Sequence, residues 1–159
     1  MTTDQKASEA ELTFTRVFNA LRALVWKAWT DPKHLAQWWG PKGFTTVVVA
    51  IDLRVDGIFH LDLHGPDGAI YPCKGVYQEV VEPERIVYRG EMAEGHPCGA
   101  GIPPRAWVTI TFIEHNNKTT LTHHTRFESA TRRAAAVHER FSISWQESLE
   151  RLAVFIETC

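Results

Sequence analysis

The chain has 159 residues, 44% of them apolar, which suits one domain with a sizeable core and is too short for two of ordinary size. Its 17 basic and 19 acidic residues leave a formal charge of -2 with no long run of one sign, which argues against nucleic acid or anionic lipid as a partner. No stretch approaches the ~20 apolar residues that span a bilayer, and residues 1–11 are polar without a basic start, so a soluble, cytoplasmic protein with a flexible N-terminal tail is expected.

Leu12, Phe14, Arg16 and Phe18 alternate with Thr13, Thr15 and Val17, a period of two that predicts a one-sided strand. Asn19 is then placed to cap a helix whose apolar positions Leu21, Val25, Ala28 and Trp29 share one face of a 3.6-residue period, ending at Thr30. Asp31 caps a second, short helix with Pro32 at its first position, where the missing N–H costs nothing, and Gly40-Pro41 stops it. The segment from Val25 to Phe44 holds four of the six tryptophans. Its two helices form a corner displaying Trp38 and Trp39, which either packs onto the domain or lines the mouth of a ligand cavity.

Thr45 to Leu53, Gly57 to His64, Ile70 to Val81 and Arg85 to Met92 are separated by Asp56-Gly57, Gly65-Pro66-Asp67-Gly68 and Glu82-Pro83-Glu84, and read as consecutive antiparallel hairpins. Ala93 to Pro104 is a Gly/Pro-rich loop and a candidate lid; strand character resumes at Ala106 to Ile113 and Thr119 to Phe127 around an Asn116-Asn117-Lys118 turn. From about Thr131, with Ser129 or Thr131 as cap, Val137, Phe141, Trp145, Leu149, Leu152 and Ile156 recur at spacings of four, four, four, three and four, the mark of a long helix with one buried face. Ser144 and Ser148 lie near that stripe, and either leave room between helix and sheet or face water at its edge.

His60, Asp62 and His64 share one strand face and invite a metal reading, but i and i+4 on a strand are about 13 Å apart, too far for two histidines on one ion. Phe59, Leu61 and Leu63 form the apolar face, leaving the histidines toward solvent. His123 shares a face with Leu121, Thr125 and Phe127, which points it inward and His124 outward. An interior imidazole is a core histidine satisfied by a backbone carbonyl, a ligand contact, or a general base. Tyr71, Tyr77 and Tyr88 offer hydroxyls, but Pro72 and Gly75 leave the register of that strand open. Arg89 and Glu91 suggest a cross-strand ion pair. Cys73, Cys98 and Cys159 are odd in number and widely spaced, as free thiols in a reducing compartment are, with Cys73 in the core and Cys159 exposed. No phosphate loop, nucleophile elbow, HExxH or dinucleotide fingerprint occurs, so no cofactor, metal or catalytic residue is assigned.

One strand, a helical corner, six strands in meander order and a terminal helix resemble the α+β helix-grip (START/Bet v-like) fold, a curved antiparallel sheet wrapped around a long C-terminal helix. The stretches FTRVFNALRALVWKAWTDPKHLAQWWGPKGF, IDLRVDGIFHLDL, GPDGAIYPCKGVYQEVVEPERIVY, VTITF and SWQESLERLAVFI, in this order, resemble the domain family named after the activator of heat-shock protein 90 ATPase, within the START-like (SRPBCC) superfamily. The likeness runs from Leu12 to Ile156, and none of its motifs is a catalytic signature. Two departures stand out: Ser144 precedes Trp145 where members usually have glycine, and the loop carries His96-Pro97-Cys98.

The resemblance implies a stand-alone domain with a cavity between sheet and terminal helix, bounded by Trp38, Trp39, Phe59, Leu61, Trp107, His123, Phe141 and Trp145 and suited to a small hydrophobic or aromatic ligand. Related branches use the same cavity for polyketide cyclisation or dehydration, so an enzyme is one alternative. A chaperone ATPase activator is the other, although those co-chaperones carry a further N-terminal domain where this chain has about eleven polar residues. Open sheet edges and an exposed tryptophan corner would offer surfaces for a homodimer.

Overall fold

The period-two segments pair into one seven-stranded antiparallel sheet in the order β1-β7-β6-β5-β4-β3-β2. In chain order the elements are β1 (Glu11–Phe18), α1 (Arg22–Thr30), α2 (Pro32–Trp38), β2 (Thr45–Ile51), β3 (Ile58–His64), β4 (Ile70–Val81), β5 (Arg85–Gly90), β6 (Trp107–His115), β7 (Lys118–Arg126), α3 (Ala130–His138) and α4 (Phe141–Glu157). This computed structural model describes residues 10–91, 105–138 and 141–159. The candidate lid, His96-Pro97-Cys98 and nearly all of the N-terminal tail lie outside those residues. The architecture is the α+β helix-grip arrangement, with β2 to β7 as a meander and β1 closing onto β7.

Alternation along each strand gives the sheet two unlike faces. Phe59, Leu61 and Leu63 of β3, Tyr88 of β5, Ile110 and Phe112 of β6 and Leu121 of β7 are at most 3% exposed and form the inner face. Cys73, Gly75 and Tyr77 of β4 also point inward, which resolves the register around Pro72. A Cβ at Gly75 would lie 2.5 Å from Cζ of Phe59, so a larger residue there would have to displace that buried ring. On the outer face His60 Nε2 meets Asp62 Oδ1 at 2.9 Å, and among the described residues no His, Cys, Asp and Glu side chains gather as a metal site. The cross-strand ion pair of the β4–β5 hairpin joins Arg85 to Glu79, while Arg89 and Glu91 form none among the described residues.

The helices cover the inner face. In α4 Phe141, Trp145, Leu149, Leu152 and Ile156 are buried, and Ser144 and Ser148 turn inward with them rather than to water. Val137, expected as the first of this stripe, is 40% exposed on α3, so the buried face begins at Phe141. In α1 the expected cap and the expected face both differ. Leu21, not Asn19, is the N-cap and offers no side-chain oxygen; the N–H of Arg22 donates instead to Glu114 Oε1 of β6 at 2.7 Å. Leu21 is 52% exposed, and Trp26 packs in its place, edge-on to Phe112 with ring centroids 5.4 Å apart. Asp31 caps α2 as its sequence predicts, accepting from the N–H groups of Lys33 and His34 at 2.9 and 3.3 Å. The tryptophan corner is not exposed: Trp38 and Trp39 are 0% and 2% accessible, which removes it as a dimer surface.

The turn after Trp39 is fastened to α4 by one side chain. Arg151 Nη1 lies 2.8 Å from the carbonyl of Gly40, 3.1 Å from that of Pro41 and 3.2 Å from that of Phe44. A single amino group has two protons, so it donates to the nearer carbonyls and shares the rest. Gly40 itself has φ +103°, and a Cβ there would approach Leu63 Cδ2 to 2.9 Å. Arg151→Met keeps the apolar stem and removes the charge-assisted donors. It should lower the unfolding free energy by about 2 kcal/mol in urea titrations, and Arg151→Lys, without the planar fork, should restore only part of the loss.

Candidate functional site

Register brings Phe14 of β1 opposite His123 of β7, and His123 opposite Ile110 of β6. The imidazole therefore stands in the centre of the inner face, under the helices. Its ring lies 4.1 Å from that of Trp145 of α4, 5.8 Å from Phe14 and 6.4 Å from Trp29 of α1, centroid to centroid. Trp29 and Trp145 are nearly parallel, at 6.1 Å and 6°, and Trp39 stands edge-on to both, at 5.8 and 5.0 Å. Phe141 closes one side, 6.4 Å from Phe14 and 5.3 Å from Phe127. Five separate elements or connections thus supply one aromatic box around a histidine.

The box is polar in an unusual way. His123 is 0% exposed, and neither ring nitrogen has a hydrogen-bond partner among the described residues. The same holds for Nε1 of Trp29, Trp39 and Trp145 and for Oγ1 of Thr125, two residues along the same strand face. Trp38 supplies the contrast: its Nε1 donates to the carbonyl of Ala28 at 2.8 Å, which makes it a packing residue of the corner. Burial pushes the His123 pKa down to about 3; its own backbone pulls the other way, and neighbouring His124 adds slightly to the fall. His124 faces outward and meets Glu11 Oε1 at 3.3 Å.

Of the residues singled out in the sequence, Trp39, His123, Phe141 and Trp145 come together in the box, with Trp38 behind them. Phe59 sits in a second aromatic group with Tyr77 and Tyr88, at 5.0 and 4.9 Å, and Leu61 is buried on the same strand. Burial raises the pKa of both tyrosines, and the Tyr88 hydroxyl is unpartnered among the described residues. Trp107 does not belong to the interior. It is 43% exposed on the outer face, because β6 turns Val108, Ile110 and Phe112 inward and every alternate residue outward. Phe14, Trp29 and Thr125 were not chosen from the sequence as site residues. The signals were present, in the one-sided β1, the helical stripe of Trp29 and the shared face of Thr125 and His123, but each read equally well as ordinary core.

The family model described as activator of Hsp90 ATPase homolog 1-like protein matches residues 19–157. The chain belongs to this family. Similar solved structures include protein CV1439 from Chromobacterium violaceum, at 28% identity and TM-score 0.76, covering 93% of this chain and 97% of that one. Protein NE0264 from Nitrosomonas europaea has 21% identity and TM-score 0.82, covering 95% and 96%. The AHSA1-like protein from Aeromonas hydrophila has 20% identity and TM-score 0.67, covering 92% and 93%. No curated protein matches the chain. Among the described residues no helix of this family member is long and apolar enough to cross a membrane.

The buried imidazole of this AHSA1-like domain makes its stability depend on pH. Unfolded, the group titrates near 6.5; folded, near 3. Between those values the unfolded chain binds the extra proton, so stability is lost as pH falls through 6.5 toward 3, by up to about 1.4 kcal/mol per pH unit. Urea titrations from about pH 7 to pH 4 should show this slope, and the difference between wild type and His123→Leu should isolate it from the carboxylates that titrate in the same range.

Proposed function

We propose that this domain binds a small, neutral, apolar or aromatic molecule carrying hydrogen-bond acceptors, held between the inner face of the sheet and α4 against His123. One observation carries the reading: three indole N–H groups and both imidazole nitrogens are buried without partners among the described residues, in a single network of touching rings. Each such group costs about 1–3 kcal/mol when left unpaired, and a ligand acceptor placed among them recovers that cost. An indole N–H only donates, and a neutral imidazole donates once and accepts once, so donors outnumber acceptors. A carbonyl or ether oxygen on an otherwise apolar ring system fits that balance, and apolar area removed from water supplies the rest at ~25 cal/mol per Å².

Binding is favoured over acid–base catalysis by the state of the histidine. An imidazole held near 3 is a poor proton acceptor at neutral pH, where a general base is most effective with a pKa close to that of the medium. The likeness to a helix-grip family raises the expectation of an interior ligand by analogy of fold. Mass spectrometry of the freshly purified protein under native conditions tests for a retained molecule. A titration of 9-fluorenone against fluorene, followed by tryptophan fluorescence, then tests the chemistry. Fluorenone should bind about tenfold more tightly, and His123→Leu should reduce the preference while leaving the fold intact. Equal affinities, or no saturable change with either probe, would refute the acceptor-binding role.

A further inference from the structure

A second arrangement of residues, on the opposite side of the sheet, is independent of the aromatic box. The strand register places Arg89 of β5, Trp107 of β6, Arg126 of β7 and Glu11 of β1 side by side in one transverse row: Trp107 pairs with Arg89 on one flank and with Arg126 on the other, and Arg126 pairs with Glu11. All four belong to the outward-facing set of their strands. The row borders a cavity of about 740 Å³ whose lining also includes Arg105, Thr109, His124 and Glu128. That volume falls in the range of small-molecule sites.

The tryptophan is the anomaly. Trp26, Trp29, Trp38, Trp39 and Trp145 are at most 4% exposed, whereas Trp107 is 43% exposed with guanidinium groups on both sides. The charges around it do not cancel. Glu128 is taken by Arg105 at 3.2 Å and Glu11 faces His124 at 3.3 Å, while Arg89 and Arg126 make no hydrogen bond or ion pair among the described residues. Three arginines against two glutamates leave the cavity with an excess positive charge in a chain whose net charge is -2.

We propose that this outer cavity is a binding site for a planar aromatic anion, stacked on Trp107 with its carboxylate or phosphate held between Arg89 and Arg126. Neighbouring strands are about 4.8 Å apart, so the two arginines rise roughly 10 Å apart on either side of the indole and can converge on one anionic group above it. Guanidinium forks suit the oxygens of a carboxylate or phosphate, and an indole face is the best stacking partner among the side chains. Both the ring and the charge of the ligand are therefore read by residues in one row. A polyanion such as nucleic acid is the poorer fit, because the chain carries a formal charge of -2 with no long run of one sign.

Calorimetric titration of 2-naphthoate and of adenosine monophosphate tests the assignment and separates carboxylate from phosphate. Acetate with 2-naphthol, and inorganic phosphate with adenosine, serve as the corresponding halves. At least one aromatic anion should bind saturably and about tenfold more tightly than either of its halves, and should weaken as salt is raised. Arg89→Gln and Arg126→Gln should each reduce that affinity about fivefold, and Trp107→Leu more, since removing the platform removes the ring selection. The indole N–H resonance of Trp107 should shift on titration. All three positions are exposed, so near-ultraviolet circular dichroism should be unchanged in these variants apart from the lost indole. His123→Leu should leave the binding intact, which separates this site from the interior one. No saturable binding of either aromatic anion, binding indifferent to the arginine substitutions, or both aromatic anions binding no more tightly than their halves would each overturn the proposal.

Discussion

The interlock of Trp29, Trp39 and Trp145 over His123 is the contact on which the rest of the molecule depends. It joins α1, the turn after α2 and the terminal helix to the middle of the sheet at a single place. Aromatic rings set edge-on or offset exclude water over a large area and fix mutual angles, which a cluster of aliphatic side chains does not. Arg151 completes the lock from the polar side, because its guanidinium satisfies the carbonyls of a turn that has no strand or helix to pair with. The sheet can then curve around α4 while the corner stays in register with it.

The same interlock makes the interior chemically unlike a simple hydrocarbon core. Indole and imidazole bring donors with them wherever they pack, and at this junction the packing leaves those donors unpaired among the described residues. Trp38, one residue from Trp39, shows that a nearby carbonyl can satisfy such a donor when the geometry allows it. The concentration of unpaired groups around His123, with burial holding the imidazole neutral, leaves the inner face rich in donors without giving it a charge. The outer face has the reverse character, with charges in plenty and one aromatic ring exposed among them. A single antiparallel sheet thus separates a neutral, donor-rich interior from an exterior of charged side chains with Trp107 among them, and the alternation of side chains along each strand is what keeps the two apart.

Most of the fold was legible because its signals are local and periodic. The alternation in β1, the turn residues between the hairpins and the four- and three-residue spacing of Phe141 to Ile156 each reflect one element's contact with one core. His123 was legible as an inward residue for the same reason. What misled were positions where a distant residue decides. Asn19 has the chemistry of a cap, but Glu114 from β6 reaches the start of α1 first. Leu21 falls on the helical stripe, yet α1 presents Trp26 to Phe112 and leaves Leu21 in water. The resemblance puts Trp107 at the cavity, against the alternation of its own strand.

The sequence by itself determined which faces are apolar, where the strands turn, that a long helix closes the chain and which family the domain belongs to, because these follow from spacing and from the order of motifs. Only the tertiary structure decided which rings meet, that His123 and its neighbouring indoles are left without partners among the described residues, and that Arg89 and Arg126 flank Trp107. Those facts depend on strand register and on the angle at which helices cross the sheet. Both are set by contacts between residues far apart in the chain, and a one-residue slip in either would exchange the two faces without altering any local pattern.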